Sequence, residues 1–318
     1  MLIAITGATG FVGRHLVEAH RQRGDRVRIL KRARTPKLSI WHDVEVIEGD
    51  LSINGSWLEN FAAGVDVLYH CAGEIRDERA MHATNVEGTR ALVSAAAGRV
   101  KHWVQLSSAA VYGGVQRGVI REETAHAPAT IYGKTKLASD LVVLSAAAGG
   151  AFTCTVVRPT SIIGADMARS LLIRFIPIID KGLFFFIGPS GAIMNFVHID
   201  NVVSALTLCA RQPAAVGRDY IISDQLTMER LAHIVADELG KPVPRLRVPE
   251  APVRLLAHVV AALPFSPLNI GQINVLTARS FYSTERIAGE LAYTPVKLPE
   301  TALRELVAAW KKSRHHAS

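Results

Sequence analysis

The chain has 318 residues, 49% of them apolar and 20% charged, with a formal net charge of +8. That length suits one sizeable domain with an added lobe, and the apolar share excludes long disorder. No apolar run reaches the roughly 18 residues that a membrane span needs, and Met1 leads into a strand without a basic leader segment, so a cytoplasmic protein is expected.

Cys71, Cys154 and Cys209 are scattered, without a Cys-x-x-Cys pair, which fits a reducing compartment and gives no metal site. Residues 2–6 (LIAIT) read as a strand that stops at a glycine, and residues 11–23 as the helix that follows. Strands are expected at 26–30, 44–48, 65–70, 102–107 and 152–158, with helices at 84–97 and 132–147. Their apolar runs are continuous rather than alternating, as in a parallel sheet covered on both faces. Residues 1–165 are therefore read as a doubly wound α/β domain.

Pro159, Gly164, Pro177, Gly182, Gly188, Pro189 and Gly191 predict irregular chain from about residue 160. Helices follow at 200–211, 227–239, near 250–263 and at 299–312, with a strand at 219–223. Residues 166–318 thus read as a smaller, mostly helical C-terminal substrate lobe, with parts of 195–225 rejoining the first domain. Residues 251–265 suit a buried helix, an apolar lid or a membrane-surface helix, and the basic tail at 311–318 is expected to fray.

The first strand runs into TGATGFVG, with Gly7, Gly10 and Gly13 at the turn and Phe11 and Val12 opening the helix. This spacing lets backbone approach a pyrophosphate at a helix N-terminus, the arrangement of a Rossmann dinucleotide site. Between residues 21 and 37 stand eight cations (Arg21, Arg23, Arg26, Arg28, Lys31, Arg32, Arg34 and Lys37) against Asp25 alone. With Lys31 and Arg32 where an NAD site usually has a carboxylate, NADP is the expected cofactor and NAD the alternative. The concentration of charge at this loop, without interleaved aromatics, argues against nucleic acid despite a pI of 9.6.

Tyr132 and Lys136 lie four residues apart on one helical face, so a cation can help a phenol of ordinary pKa near 10 move a proton. With TGATGFVG and with Ser108 in Leu106–Gly113, this pattern resembles the extended short-chain dehydrogenase/reductases, the NAD-dependent epimerase/dehydratase group. The resemblance implies that Ser108 holds the reacting oxygen, Tyr132 moves the proton and Lys136 supports both tyrosine and cofactor ribose. It also implies adenine contacts at Asp50 and Leu51, a small-residue wall at Cys71, Ala72 and Gly73, Asn85 as a structural tie, and Pro159 beside the nicotinamide. Family members often pair through the helices at 84–97 and 132–147, so a homodimer is a possibility drawn from the resemblance alone.

Departures from the family pattern narrow the reaction. Ala109 and Ala110 stand where sugar 4,6-dehydratases carry Asp and Glu, and Ala109 where some epimerases carry Cys, so neither chemistry is expected. What remains is a nucleotide-sugar dehydrogenase or ketoreductase, with a 4-epimerase as an alternative. Asn195 replaces an arginine common in nucleotide-sugar enzymes, with Arg279 or Arg174 as substitutes, while His198 and Asp200 read as structural. The ending Phe281 to Pro295 resembles 3β-hydroxysteroid and sterol dehydrogenases, a further alternative. A nucleotide-binding module without catalysis is disfavoured, because Ser108, Tyr132 and Lys136 are all present.

Overall fold

The chain alternates strand and helix from its first residues. In a computed structural model that describes residues 1–33, 41–53, 55–167, 171–260 and 270–315, β1 (Leu2–Thr6) leads into α1 (Phe11–Gln22). Then come β2 (Arg26–Lys31), β3 (Glu45–Glu48), α2 (Trp57–Ala62) and β4 (Val65–His70). The expected helix at 84–97 is longer and compound: α3 (Glu78–Met81), a π-helical turn over His82–Glu87 and α4 (Gly88–Ala96). β5 (Val100–Leu106), a 3₁₀ turn at Ala109–Tyr112, β6 (Arg117–Ile120), α5 (Ile131–Ala148), β7 (Thr153–Pro159) and β8 (Ser161–Ile163) follow.

The rest of the described chain holds α6 (Leu171–Asp180), β9 (Phe186–Ile187), β10 (Ile193–His198), α7 (Ile199–Arg211) and β11 (Asp219–Ile222). After these come β12 (Asp224–Thr227), α8 (Met228–Leu239), β13 (Arg247–Val248), α9 (Glu250–Val260) and α10 (Ile270–Thr277). The C-terminal elements are β14 (Arg279–Tyr282), α11 (Glu285–Leu291) and α12 (Pro299–His315).

Seven strands form one sheet in the order β11-β7-β5-β4-β1-β2-β3, every pairing parallel. The order reverses between β1 and β4, the switch point where ligands bind at strand C-terminal ends. Helices cover both faces, which is why the strands read as continuous apolar runs. Ile3, Ile5, Val67 and Tyr69 pack with Leu16 and Val202 of α1 and α7, while Ala4, Leu68 and Trp103 pack with Phe61, Leu92 and Val143 of α2, α4 and α5.

The chain after residue 160 departs from the expected irregularity. Leu172, Phe175, Ile176 and Ile179 repeat at helical spacing and bury α6 against Leu231 of α8 and Leu303 and Val307 of α12. That burial outweighs Pro177, which lies inside α6. Strands β12-β10-β8, β13-β9 and β14-β6 make three small sheets, so the lobe is less helical than expected. β11 joins the large sheet, and α7 packs against it.

The described part of the tail departs as well: α12 continues to His315, with Lys311 Nζ donating to Glu238 O at 2.9 Å and Arg314 paired with Asp180 at 2.9 Å, while residues 316–318 lie outside the described residues. Within 251–265, α9 exposes Leu255 and Leu256 and buries Ala257, while residues 261–265 lie outside the described residues. No helix among the described residues is long and apolar enough to cross a membrane.

Candidate active site

Thr6 ends β1, and Gly7 turns the chain at φ +67° into the helix. A Cβ on Gly7 would stand 2.7 Å from the Ala72 nitrogen, because the loops after β1 and β4 touch here. Gly10 has an ordinary extended backbone, meets only Gly7 O at 3.1 Å and caps α1 without a side chain. The first-turn amides of α1 therefore lack a side-chain acceptor and open on a cavity of about 840 Å³. A bare helix N-terminus beside a glycine faces the cavity where a pyrophosphate would need to sit, so the residues present fit a dinucleotide.

Gly7, Gly10, Phe11, Val12 and Gly13 line this cavity with Cys71, Ala72, Gly73 and Pro159. Ser108, Tyr132 and Lys136 line it too, so the expected catalytic trio and the glycine loop share one space. The expected contacts Lys31, Arg32, Asp50 and Leu51 do not line it. Lys31 is buried and paired with Glu48 at 3.0 Å, Leu51 belongs to the core, and Asp50 Oδ1 accepts from Ser52 N at 3.0 Å. Arg32 is exposed; against burial, bonds from Ser52 hold the Asp50 carboxyl below its usual value, and bonds led by the Arg76 backbone hold that of Glu74 there, with a smaller contribution from Arg32 to each.

The basic run is less bare than its sequence suggests, because β3 and its approach supply carboxylates. Arg21 pairs with Glu18 and Asp43, and Arg28 pairs with Glu45 while donating to the carbonyls of Asn60, Phe61 and Ala63. Arg34 and Lys37 lie outside the described residues.

Thr130 starts α5 by accepting from Gly133 N at 3.0 Å, which sets Tyr132 and Lys136 in its first two turns. Ser108 follows β5 and accepts from Ala110 N at 3.2 Å. Burial pushes the Tyr132 phenol above its ordinary value, with the Ser108 hydroxyl bond opposing and Asp140 adding to the rise. Burial pulls the Lys136 ammonium down, opposed by Asp140, while its Nζ donates to Leu106 O at 2.6 Å.

The floor is neutral and fully bonded. His70 bridges Thr6 Oγ1 at 2.7 Å and Thr89 Oγ1 at 2.9 Å, and burial with Lys136 nearby lowers its pKa to about 3. Burial pushes the Cys71 thiol up to about 12, so it is no nucleophile. Asn85 accepts from Glu74 N at 2.7 Å and donates to Thr135 Oγ1 at 3.1 Å, tying the loop after β4 to α5.

Sequence reasoning marked Asn195 on the substrate side but missed the rest of the far wall, where Thr130, Ser161 and Tyr282 join it at the cavity from separate parts of the chain. These residues and Ala110 also line a second space of about 440 Å³, continued by Leu172, Ile193, Met194 and Val275. None of its lining side chains among the described residues is charged. Asn195 Nδ2 donates to Ser280 O at 2.9 Å, and its Oδ1 is buried without a partner among the described residues. Neither expected substitute cation reaches this space: Arg279 bonds the carbonyls of Pro189 and Ser190, and Arg174 is exposed on α6. His198 caps α7, and Asp200 pairs with Lys297 at 3.2 Å.

Residues 3–223 match the model of the NAD dependent epimerase/dehydratase family. The sterol demethylase protein B of Methylococcus capsulatus is 29% identical over 99% of this chain and 99% of its own length. The 3-beta-hydroxysteroid dehydrogenase of Mycolicibacterium neoaurum is 26% identical over 95% of this chain and 89% of its own. Among solved structures, UDP-glucuronic acid 4-epimerase from Bacillus cereus in complex with NAD superposes with a TM-score of 0.75. It is 18% identical, covering 98% of this chain and 97% of that one, and this likeness bears on fold. The chain belongs to the NAD-dependent epimerase/dehydratase family, the extended short-chain dehydrogenase/reductases, whose members are NAD(P)-dependent enzymes.

Proposed function

We propose that this protein is an NADP(H)-dependent oxidoreductase that interconverts a ketone and a secondary alcohol, and that it works as a ketoreductase on an apolar substrate. The observation that carries this reading is the convergence of Ser108, Tyr132 and Lys136 on the cavity lined by the glycine loop. When bound, the cofactor supplies hydride. Ser108 holds the carbonyl oxygen, Tyr132 delivers the proton to it, and Lys136 stabilises the phenolate that remains. Burial keeps the Tyr132 phenol protonated, the form that gives its proton to the oxygen in the reductive direction. Ala109 and Ala110 beside Ser108 supply no second acid or base, so simple redox is favoured over 4,6-dehydration.

Arg32, exposed after β2 where no carboxylate replaces it, supports NADP as the partner through its 2′-phosphate. NAD is the second reading, favoured by the Bacillus relative's complex. The second space, uncharged among the described residues, supports a sterol-like or other apolar ketone, in keeping with the names of the sterol and hydroxysteroid relatives. A diphosphate would ask for cations there. A nucleotide sugar is the second substrate reading, favoured by the UDP-sugar name of the Bacillus structure.

The test is spectrophotometric NADPH oxidation with a steroidal ketone, a long-chain aliphatic ketone and a UDP-4-ketosugar. Turnover of the apolar ketones, lowered about 10²- to 10⁴-fold in Tyr132→Phe, is expected. Turnover of the UDP-ketosugar alone would refute the substrate reading, and tighter binding of NAD(H) than of NADP(H) the cofactor reading.

A further inference from the structure

Helix α5 carries a third ionisable residue on the stripe of Tyr132 and Lys136: Asp140, one turn further on. Its side chain is 0% exposed, and a buried carboxylate is costly unless it is both paired and hydrogen-bonded. Asp140 is both. Oδ2 accepts from Ser107 Oγ at 2.6 Å, Oδ1 lies 3.5 Å from Gln105 Nε2, and Arg158 Nε stands 3.6 Å from Oδ2.

These contacts fall on consecutive residues of one strand end. Asp140 and Ser139 hold Gln105, Lys136 holds the carbonyl of Leu106, and Asp140 holds Ser107. The next residue is Ser108. Arg158, 2% exposed, carries the chain of charge onward: it donates to Tyr112 Oη at 2.9 Å and pairs with Asp219, which pairs with Arg286 at 2.7 Å. Positive and negative groups alternate from Lys136 to Arg286, and the Arg158 Nε, which makes no hydrogen bond among the described residues, has Asp140 as its nearest counter-charge.

We propose that Asp140 is a positioning residue for the proton-transfer pair: a buried anion between Lys136 and Arg158 that fixes the strand end bearing Ser108 and supplies Lys136 with its counter-charge. The proposal rests on the reading of Tyr132 and Lys136 as that pair.

The groups facing Asp140 are Tyr132 and Lys136 on its own helix, Arg158 and Cys154 on β7, and His126 in the loop before α5. Lys136 in turn faces His70 and Cys71 after β4. Burial works against charge on Lys136 and on Asp140, and each opposes that loss in the other. Removing the anion lowers the pKa of every neighbour, so the ammonium is lost, and the phenol ionises, at lower pH.

The test compares the pH profiles of kcat and KM for the full-length enzyme with those of Asp140→Asn, Asp140→Glu and Ser107→Ala. In Asp140→Asn the whole kcat profile is expected to move about one unit toward acid, which lowers kcat about tenfold on its alkaline limb, with KM changed less than about threefold. Asp140→Glu, which keeps the charge, is expected to restore the position of the profile. Ser107→Ala, which keeps the anion and loses the tether, is expected to lower kcat several-fold with no shift.

NADPH binding against pH, measured by fluorescence without substrate, gives a second readout because Lys136 lines the cofactor cavity. A shift there in Asp140→Asn supports the proposal even where no ketone is turned over, an outcome that would count against the substrate reading alone. A uniform fall in kcat with profile and binding curve unmoved would overturn the counter-charge. If Asp140→Asn does not fold, Ser107→Ala decides, and an unchanged kcat in that variant overturns the proposal.

Discussion

Two glycines three residues apart should fail in opposite ways when each becomes alanine. At Gly7 the backbone is left-handed, φ +67°, and a Cβ would sit 2.7 to 2.8 Å from backbone atoms of Cys71 and Ala72. The conformation costs an alanine about 1–2 kcal/mol. The contact is with backbone at the crossing of β1 and β4, so relief requires the loops to separate, at about 1–3 kcal/mol more. Separation would also loosen the Ala72 N to Thr6 Oγ1 bond of 3.2 Å. Gly7→Ala is therefore expected to lose about 2–5 kcal/mol of folding stability. At Gly10 the backbone is ordinary and the added methyl meets one carbonyl oxygen at 3.1 Å. Gly10→Ala should unfold within about 1 kcal/mol of wild type, since alanine also restricts the unfolded chain. Its methyl would stand before the first-turn amides, so NADPH affinity should fall at least about tenfold, some 1.4 kcal/mol. Urea denaturation without cofactor and fluorescence titration with NADPH separate the two effects. Equal destabilisation by both variants, or wild-type NADPH binding by Gly10→Ala, would refute the assignment of Gly10 to the anion site.

Two more predictions concern charge. Arg32→Ala should weaken NADP binding about 10- to 100-fold, the worth of a charge-assisted hydrogen bond, and leave NAD binding within about twofold; equal weakening of both would remove Arg32 from the 2′-phosphate. Asp66 accepts from Leu2 N at 2.8 Å and Lys101 Nζ at 2.7 Å, led by the lysine bond in holding its carboxyl below the usual value. A depressed pKa adds stability that is present above the ordinary carboxylate value and lost as pH falls through the folded one. Asp66→Asn should thus cost at most about 1 kcal/mol near neutrality, since the exposed Lys101 is screened by solvent, and progressively less as pH falls below the ordinary carboxylate range, by urea midpoints across that range.

The cofactor half was legible because its signals are local. The glycine loop, the continuous apolar strands and Tyr132 with Lys136 each sit within a few residues, and the sheet follows from short right-handed crossovers. Where partners are distant in sequence, the reading fell short. Arg28 and Lys31 look unpaired until β3 lies beside β2 and brings Glu45 and Glu48 to them. β6 and β14 pair across some 160 residues, and Arg117–Ile120 has too little apolar pattern to announce a strand. α6 did announce itself, at positions 172, 175, 176 and 179, and Pro177 drew the weight instead.

Asp140 shows a different kind of miss. Its spacing from Lys136 is as plain in YGKTKLASD as that of Lys136 from Tyr132. An acid two turns along a helix is ordinarily taken for a solvent-facing residue. Yet one face of α5 (Gly133, Lys136, Ser139, Asp140 and Val143) is buried, although Ile131 and Leu141 are exposed, and a charge on that face needs partners from other elements. The partners are Ser107 at the end of β5 and Arg158 at the end of β7, the two strands on which the substrate side of the site is built. A carboxylate on the buried face of such a helix, in step with a tyrosine and a lysine, is thus itself a signal worth reading beside the motif.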